Sequence, residues 1–384
     1  MDISCIKKDC TGCASCISSC PQNAISMHLS GDGFCYPSIE QESCINCGLC
    51  GKVCPVVGNF QKFYPQKVFL SWANDTKIRL NSSSGGVFSS IAENVLRRKG
   101  VVCGATYDEQ MNVRHTIIDT LEDLPKLQGS KYVQSIIGEV FPRIKQILQE
   151  NRIVYFVGTP CQVQGLKSFL RKEYPNLITS DLICHGVPPG ELFKAQIRQL
   201  ERNHNYKVKD FKFRSKDRFG QGCDIKVVTE KGKSFYYNAE LLPYFNGFWK
   251  NLTLRECCYN CKYSSVERVG DITLGDYWLV KKVFPGTKTS KGCSLIFVNT
   301  EIGHRVINEI SSNVFLKEST IEQAMLGQGQ LKSPVPRPKA RDLFDSCESF
   351  DQICNGLLAT SLKYKFKMRL RNFIKTIIFF KYWK

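Results

Sequence analysis

Two copies of one cysteine pattern constrain this chain more than any other feature. Cys10, Cys13, Cys16 and Cys20, followed by Pro21, fit C-x2-C-x2-C-x3-C-P, and Cys44, Cys47, Cys50 and Cys54, followed by Pro55, fit it again. A short loop with cysteines three apart wraps three thiolates around one face of an iron–sulfur cubane, while the fourth cysteine reaches the other cluster. The spacing therefore predicts one [4Fe-4S] cluster on Cys10, Cys13, Cys16 and Cys54, and a second on Cys44, Cys47, Cys50 and Cys20. Zinc is the competing reading, but zinc sites usually draw on two separated C-x2-C pairs rather than three cysteines in one loop. Gly12 and Gly48 relieve crowding where backbone must pass close to an inorganic core. Residues 25–29 alternate and precede Gly31-Asp32-Gly33, which predicts a hairpin between the two loops. Cys5 and Cys35 fall outside the pattern and read as ordinary thiols.

The wider composition supports metal chemistry. The 384 residues include 20 cysteines, and such usage means either a disulfide framework or metal ligation. The start shows no basic stretch followed by an apolar run, and nowhere do about 18 apolar residues run together. The expected setting is thus cytoplasmic, where thiols stay reduced. The formal net charge of +18 is uneven, with −2 in residues 1–60 and +8 in residues 361–384. The basic body raises the question of nucleic acid, but no recognised nucleic-acid motif accompanies it, so none is expected as a partner.

Behind the cysteine-rich head, strand-like runs at 68–72, 101–105, 153–157 and 178–183 alternate with helical patterns near 86–99, 138–150, 162–173 and 190–203. Such alternation predicts an α/β core with a mostly parallel sheet behind an α+β ferredoxin-type head. Ligands then sit at the carboxyl ends of the strands. Three turns are candidates. Asn81 to Gly86 runs into an apolar helix, and is either a phosphate cradle or a serine-capped turn. Gly129 to Gln134 offers a cation and an aromatic in what reads as a short strand. Gly158-Thr159-Pro160-Cys161-Gln162 opens a helix at a strand end, a position that lowers a thiol pKa. Cys161, Cys184, Cys258 and Cys261 form either a third four-cysteine site, iron–sulfur or zinc, or a set that includes buried thiols without a role.

Taken in order, the dicluster head, Ser82 to Phe88, Gly129 to Gln134, Gly158 to Gln162, Asp181 to Gly186, the Cys258/Cys261 pair and Gly270 to Trp278 resemble the family of coenzyme F-420 hydrogenase and dehydrogenase beta subunits, over roughly residues 1–300. The resemblance implies FAD and one or more [4Fe-4S] clusters, with electrons passed between clusters and a two-electron acceptor. It implies flavin contacts from Ser84, Gly85 and Gly86, from Ser130, Lys131 and Tyr132, and from Gly158, Thr159 and Pro160. It favours the third cluster on Cys161, Cys184, Cys258 and Cys261, and makes Asp271 and Asp276 site-shaping residues. A flavin suits such a protein because it exchanges one or two electrons.

The chain is therefore divided into a dicluster domain (1–62), an α/β catalytic domain (63–330), a proline-marked linker (331–360) and a basic amphipathic helix (361–384). Phe366, Leu370, Phe373, Ile374, Ile377 and Ile378 form that helix's apolar stripe. It either lies on the inner face of an anionic membrane or docks on protein. The expected function is an iron–sulfur flavoprotein oxidoreductase with a redox partner protein or small electron donor and a small-molecule two-electron acceptor. Two alternatives stand beside it: a non-catalytic electron-transfer subunit, and a cluster-bearing accessory protein of cell-surface polysaccharide biosynthesis.

Overall fold

In the computed structural model, the doubled cysteine pattern becomes a doubled backbone. Gly12 and Ala14 follow the first loop's leading cysteine at φ 70° and 62°, and Asn46 and Gly48 hold the same two positions in the second loop at 54° and 68°. Each loop then enters a short helix, Ser15–Ser19 and Leu49–Lys52. Between them the predicted hairpin forms from β1 (Ile25–Leu29) and β2 (Cys35–Ile39), in register from Ile25 opposite Ile39 to Leu29 opposite Cys35. The structure describes residues 3, 6–222, 224–345, 349–356, 358, 359, 361, 363, 364, 366, 367 and 370. Phe373 to Trp383, on which most of the tail reading rests, lie outside the described residues. Among those described, no helix is long and apolar enough to cross a membrane.

The body is built on eight strands. In chain order these are β3 (Lys67–Ala73), β4 (Val101–Tyr107), β5 (Val113–Ile118), β6 (Val154–Gly158), β7 (Leu177–Leu182), then β11 (Ile272–Asp276), β12 (Ser294–Val298) and β13 (Val314–Ser319). Between β7 and β11 come β8 (Val208–Ser215), β9 (Asp224–Thr229) and β10 (Ser234–Asn238), which form a separate antiparallel sheet. The large sheet runs β13-β3-β12-β11-β7-β6-β4-β5. The expectation of a mostly parallel sheet is corrected here. Only the centre, β4-β6-β7-β11, is parallel, and the flanking pairs are antiparallel. The reason is the connections. Helices Val140–Gln149 and Pro160–Leu170 precede β6 and β7, and a crossover of that length permits parallel pairing. Strand β5 instead returns from β4 through a tight turn, in which Asp108 accepts from the N–H groups of Gln110 and Asn112, and a tight return is antiparallel.

Side chains alternate across this sheet. Val102 and Tyr155 face one core with Val87, Ile91 and Val95 of helix Val87–Arg97. Val101, Cys103, Val154 and Phe156 face the other, with Phe141, Ile144, Val163 and Leu166. The segment inserted between β7 and β11 has its own aromatic core around Phe193, Phe211, Phe213, Tyr244 and Phe245. Leu331, Val335, Arg341 and Phe344 are also buried, so the proline-rich stretch lies against the body.

The insertion's two ends meet at an ion pair. Asp181 of β7 accepts from both Arg268 Nε and Nη2 and from the N–H groups of Val269 and Gly270. Neither side chain is more than 2% exposed. Removing one member of such a pair strands the other charge, so Asp181→Ala is expected to cost about 3–5 kcal/mol in urea unfolding.

Candidate functional site

The carboxyl ends of the four parallel strands open into one cavity of about 440 Å³. Gly104 and Ala105 of β4, Gly158 of β6, Leu182 of β7 and Leu274 to Asp276 of β11 all line it, as expected for a parallel sheet. The three candidate turns converge there. Ser84 and Gly86, Ser130, Lys131 and Tyr132, and Gly158 and Thr159 are all in its wall. Gly85 and Pro160 stand behind the lining. A Cβ on Gly85 would lie 2.5 Å from Ser71 O and 2.8 Å from Ser294 N, so the glycine lets the turn sit against β3 and β12.

The local causes differ from turn to turn. Helix Val87–Arg97 is not serine-capped, because Gly86 at φ 96° occupies the cap and makes no side-chain bond. The serines serve elsewhere: Ser83 Oγ accepts from Ser130 N, joining two of the turns, and Ser84 Oγ donates to Cys293 O. Lys216 grips the same turn from below, donating to Arg79 O, Ser84 O and Lys291 O at 2.6–2.8 Å. Burial pushes its amine down to about 7. Residues 130–132 are not a strand, since Lys131 Nζ turns back to donate to Lys126 O and Gln128 O. Thr159 and Gln162 form a capping box with Pro160 in the first turn, which sets Cys161 facing the cavity.

The wall also holds residues that pattern reading did not find. His115 is neutral, its Nδ1 accepting from Ser135 Oγ and its Nε2 donating to Val157 O at 3.0 Å. Burial lowers its pKa to about 4. Arg214 pairs with Asp276 at 2.7 Å and lies over the Trp278 ring. Asp276 therefore does shape the cavity. Asp271 instead accepts from Thr179 N and Oγ1 and from Thr300 Oγ1, bracing strand ends away from the cavity lining. An isolated histidine or arginine in a strand has no spacing signature, so neither His115 nor Arg214 could have been read from the sequence.

The thiols form a row. Cys10, Cys13, Cys16 and Cys54 line a single small hollow, the grouping predicted from spacing. Around their loop the hydroxyls of Ser15, Ser18 and Ser19 are buried and have no hydrogen-bond partner among the described residues. Unpaired donors of this kind suit the sulfurs of a cluster. Cys13 abuts helix Pro160–Leu170, where a Cβ on Gly165 would lie 2.8 Å from Cys13 Cβ. Beyond it, Cys161 lies within electrostatic reach of Cys184, Cys258 and Cys261, Cys184 within reach of Cys258 and Cys261, and these two within reach of each other. Cys13 and Cys161 also act on each other. Among the described residues no three His, Cys, Asp or Glu side chains close around a point as the ligands of one ion do; a cubane places its thiolates at separate irons. The expectation that helix position lowers the Cys161 pKa is corrected: burial raises it, outweighing the bond from Thr159. At the other end of the row, Cys47 is exposed, and Cys20, Cys44 and Cys50 are partly buried.

Fold and thiol sites together define an iron–sulfur electron-transfer protein. The chain matches the C terminus of the coenzyme F420 hydrogenase/dehydrogenase beta subunit over residues 151–324, the N-terminal part of the same protein over 68–141, and a 4Fe-4S dicluster domain over 9–57. It belongs to the family of coenzyme F420 hydrogenase/dehydrogenase beta subunits. The F subunit of the F(420)H(2) dehydrogenase of Methanosarcina mazei is 21% identical, over 80% of this chain and 84% of that protein. The coenzyme F420-dependent sulfite reductase of Methanocaldococcus jannaschii is 26% identical over 80% of this chain, which spans only 47% of that relative. Among solved structures, the F420-reducing [NiFe] hydrogenase complex of Methanosarcina barkeri contains a chain 18% identical, with a TM-score of 0.48, covering 77% of this chain and 91% of that one.

His115 offers a test of the cavity wall. Its folded pKa of about 4 lies below the unfolded value of 6.5. The stability that this neutral histidine contributes is full above pH 6.5 and lost as pH falls toward 4. The shift corresponds to about 3 kcal/mol. His115→Gln is expected to remove most of the difference between urea unfolding at about pH 7.5 and about pH 5.

Proposed function

We propose that this chain is an iron–sulfur flavoprotein oxidoreductase, one that takes single electrons at its ferredoxin head and exchanges two with a small acceptor in the cavity. One observation carries the reading: a row of cysteines leads from the second loop, with exposed Cys47, through the Cys10–Cys16 loop packed against it, to Cys161 and Cys184 in the wall of a cavity built from three glycine-bearing turns. When bound, the clusters supply one-electron transfer and the flavin interconverts one- and two-electron chemistry. Cys10, Cys13, Cys16 and Cys54 hold one cluster, Cys44, Cys47, Cys50 and Cys20 the second, and Cys161, Cys184, Cys258 and Cys261 a third.

Ser84, Gly86 and the start of helix Val87–Arg97 would hold the anionic part of FAD, while Gly85, its N–H already given to Ser294 Oγ, seats the turn from behind. Lys131, its amine pushed down to about 7 by burial, and Tyr132, with Gly158 and Thr159, would hold the ring portion in the same cavity. Pro160 holds Thr159 and Cys161 in place from behind. The names of the relatives point to an F420-type deazaflavin as the two-electron partner. Relatives named as subunits support a second reading, in which the chain works only within a complex with a redox partner protein. A reducing, cytoplasmic setting suits both.

Anaerobic purification with iron counts and a visible spectrum tests the proposal. About twelve irons and one flavin per chain are expected, and about eight would remove the third cluster. Cys184→Ser is expected to lower the count by about four while leaving the head's clusters intact. A preparation that takes up no FAD would sink the flavoprotein reading and leave an electron relay.

A further inference from the structure

Among the described residues four arginines lie deep in the protein, and one of them has no carboxylate partner. Arg214 pairs with Asp276, Arg268 with Asp181, and Arg341 with Asp345. Arg255 is 1% exposed, yet among the described residues no carboxylate lies within ion-pair distance of it. An ion buried without a partner is costly, so such a group marks the place of an opposite charge.

The surroundings of Arg255 say where that charge is. Its guanidinium donates from Nε to Cys10 O at 2.6 Å, from Nη1 to Gln134 Oε1 at 2.9 Å and from Nη2 to Cys35 O at 2.9 Å. It is stacked on Tyr36 and Phe34 at 4.3 and 5.2 Å from the ring centres. Gln134 in turn donates to Thr11 O. The first cluster loop closes directly onto this pair, because a Cβ on Gly12 would lie 2.4 Å from Gln134 Nε2 and 3.2 Å from Arg255 Nη1. On its other side Arg255 begins the loop of Cys258 and Cys261, and its N–H donates to Val187 O, three residues past Cys184. All three fork directions are thus used to hold the cation between two thiol sites.

We infer that Arg255 is the built-in counter-ion of the cluster held by Cys10, Cys13, Cys16 and Cys54, and that its charge makes that cluster easier to reduce than the outer one. The inference rests on the cluster reading above. A four-thiolate cubane is anionic in either state, and reduction adds one more negative charge to it. A fixed cation in a poorly screened interior stabilises the more negative form, which raises the midpoint potential. Arg255 is a positioning residue as well, since the same fork seats the head against the body at the place where electrons leave it.

The test is an EPR-monitored reductive titration of the anaerobically purified full chain, with iron and sulfide counted in each sample. Arg255→Gln keeps a polar side chain without the charge, and the midpoints of the clusters on either side of it, the one on the Cys10 loop and the one beside Cys258, are expected to move to more negative potential while that of the outer cluster stays. Arg255→Lys keeps the charge without the fork and is expected to titrate near the wild type. Gln134→Glu leaves Arg255 in place but neutralises it with a carboxylate, and is expected to repeat the negative shift. This second variant decides the matter if Arg255→Gln loses iron. Unmoved potentials in Gln134→Glu at full iron content would overturn the inference, as would equal shifts in Arg255→Lys and Arg255→Gln. Wild-type protein with fewer than about eight irons would instead overturn the dicluster reading itself.

Discussion

Everything in this molecule depends on how closely the cysteine-rich head can approach the sheet. The contact is made by Gly165, which stands in the middle of helix Pro160–Leu170 and presents bare backbone to Cys13. A glycine inside a helix costs roughly 1 kcal/mol relative to alanine, so its place there calls for a compensating contact. What the missing side chain allows is a head packed against the first turns of the helix that carries Cys161. Thiols of two separate sites then come within electrostatic reach. With any larger residue the head would have to stand off, and the row of sites would have a gap at its centre.

Burial sets the chemistry along that row. Burial pushes Cys13 and Cys184 up to about 12 and raises Cys161 further. Such thiols are unreactive on their own, and on the proposed cluster reading they become ligands as iron displaces their protons. The buried arginines act as the matching joints. Arg268 closes the base of the insertion on Asp181, Arg214 fixes the cavity's far wall on Asp276, and Arg255 ties head to body. Each joins segments distant in sequence, which is why the three units form one continuous site.

The sequence was most legible where chemistry demands fixed spacing. The cysteine loops, their hairpin and the helices after Gly86 and Thr159 could all be read, because each has a local physical cause. The central strands were legible for the same reason, their apolar runs being separated by helical patterns. What could not be read was pairing across distance. Nothing in residues 294–298 or 314–319 announces that they lie on either side of β3 and make the sheet mixed. The aromatic core of the insertion was missed because Phe193, Phe213 and Phe245 come from a helix, a strand and a second helix. The helix position of Cys161 is legible in the sequence, but its burial, which dominates, is a tertiary property.

The insertion between β7 and β11 bears on how the protein matures. It carries Phe245, Phe248 and Trp249 of the cavity wall together with Cys258 and Cys261. Cys161 and Cys184 are laid down earlier in the chain, and some seventy residues separate Cys184 from its two companions. The head's ligands, by contrast, all lie within one short stretch. On the proposed cluster reading, metal loading therefore has a built-in order. The head's eight cluster cysteines are complete once residue 54 is made, whereas the inner set waits for Cys261.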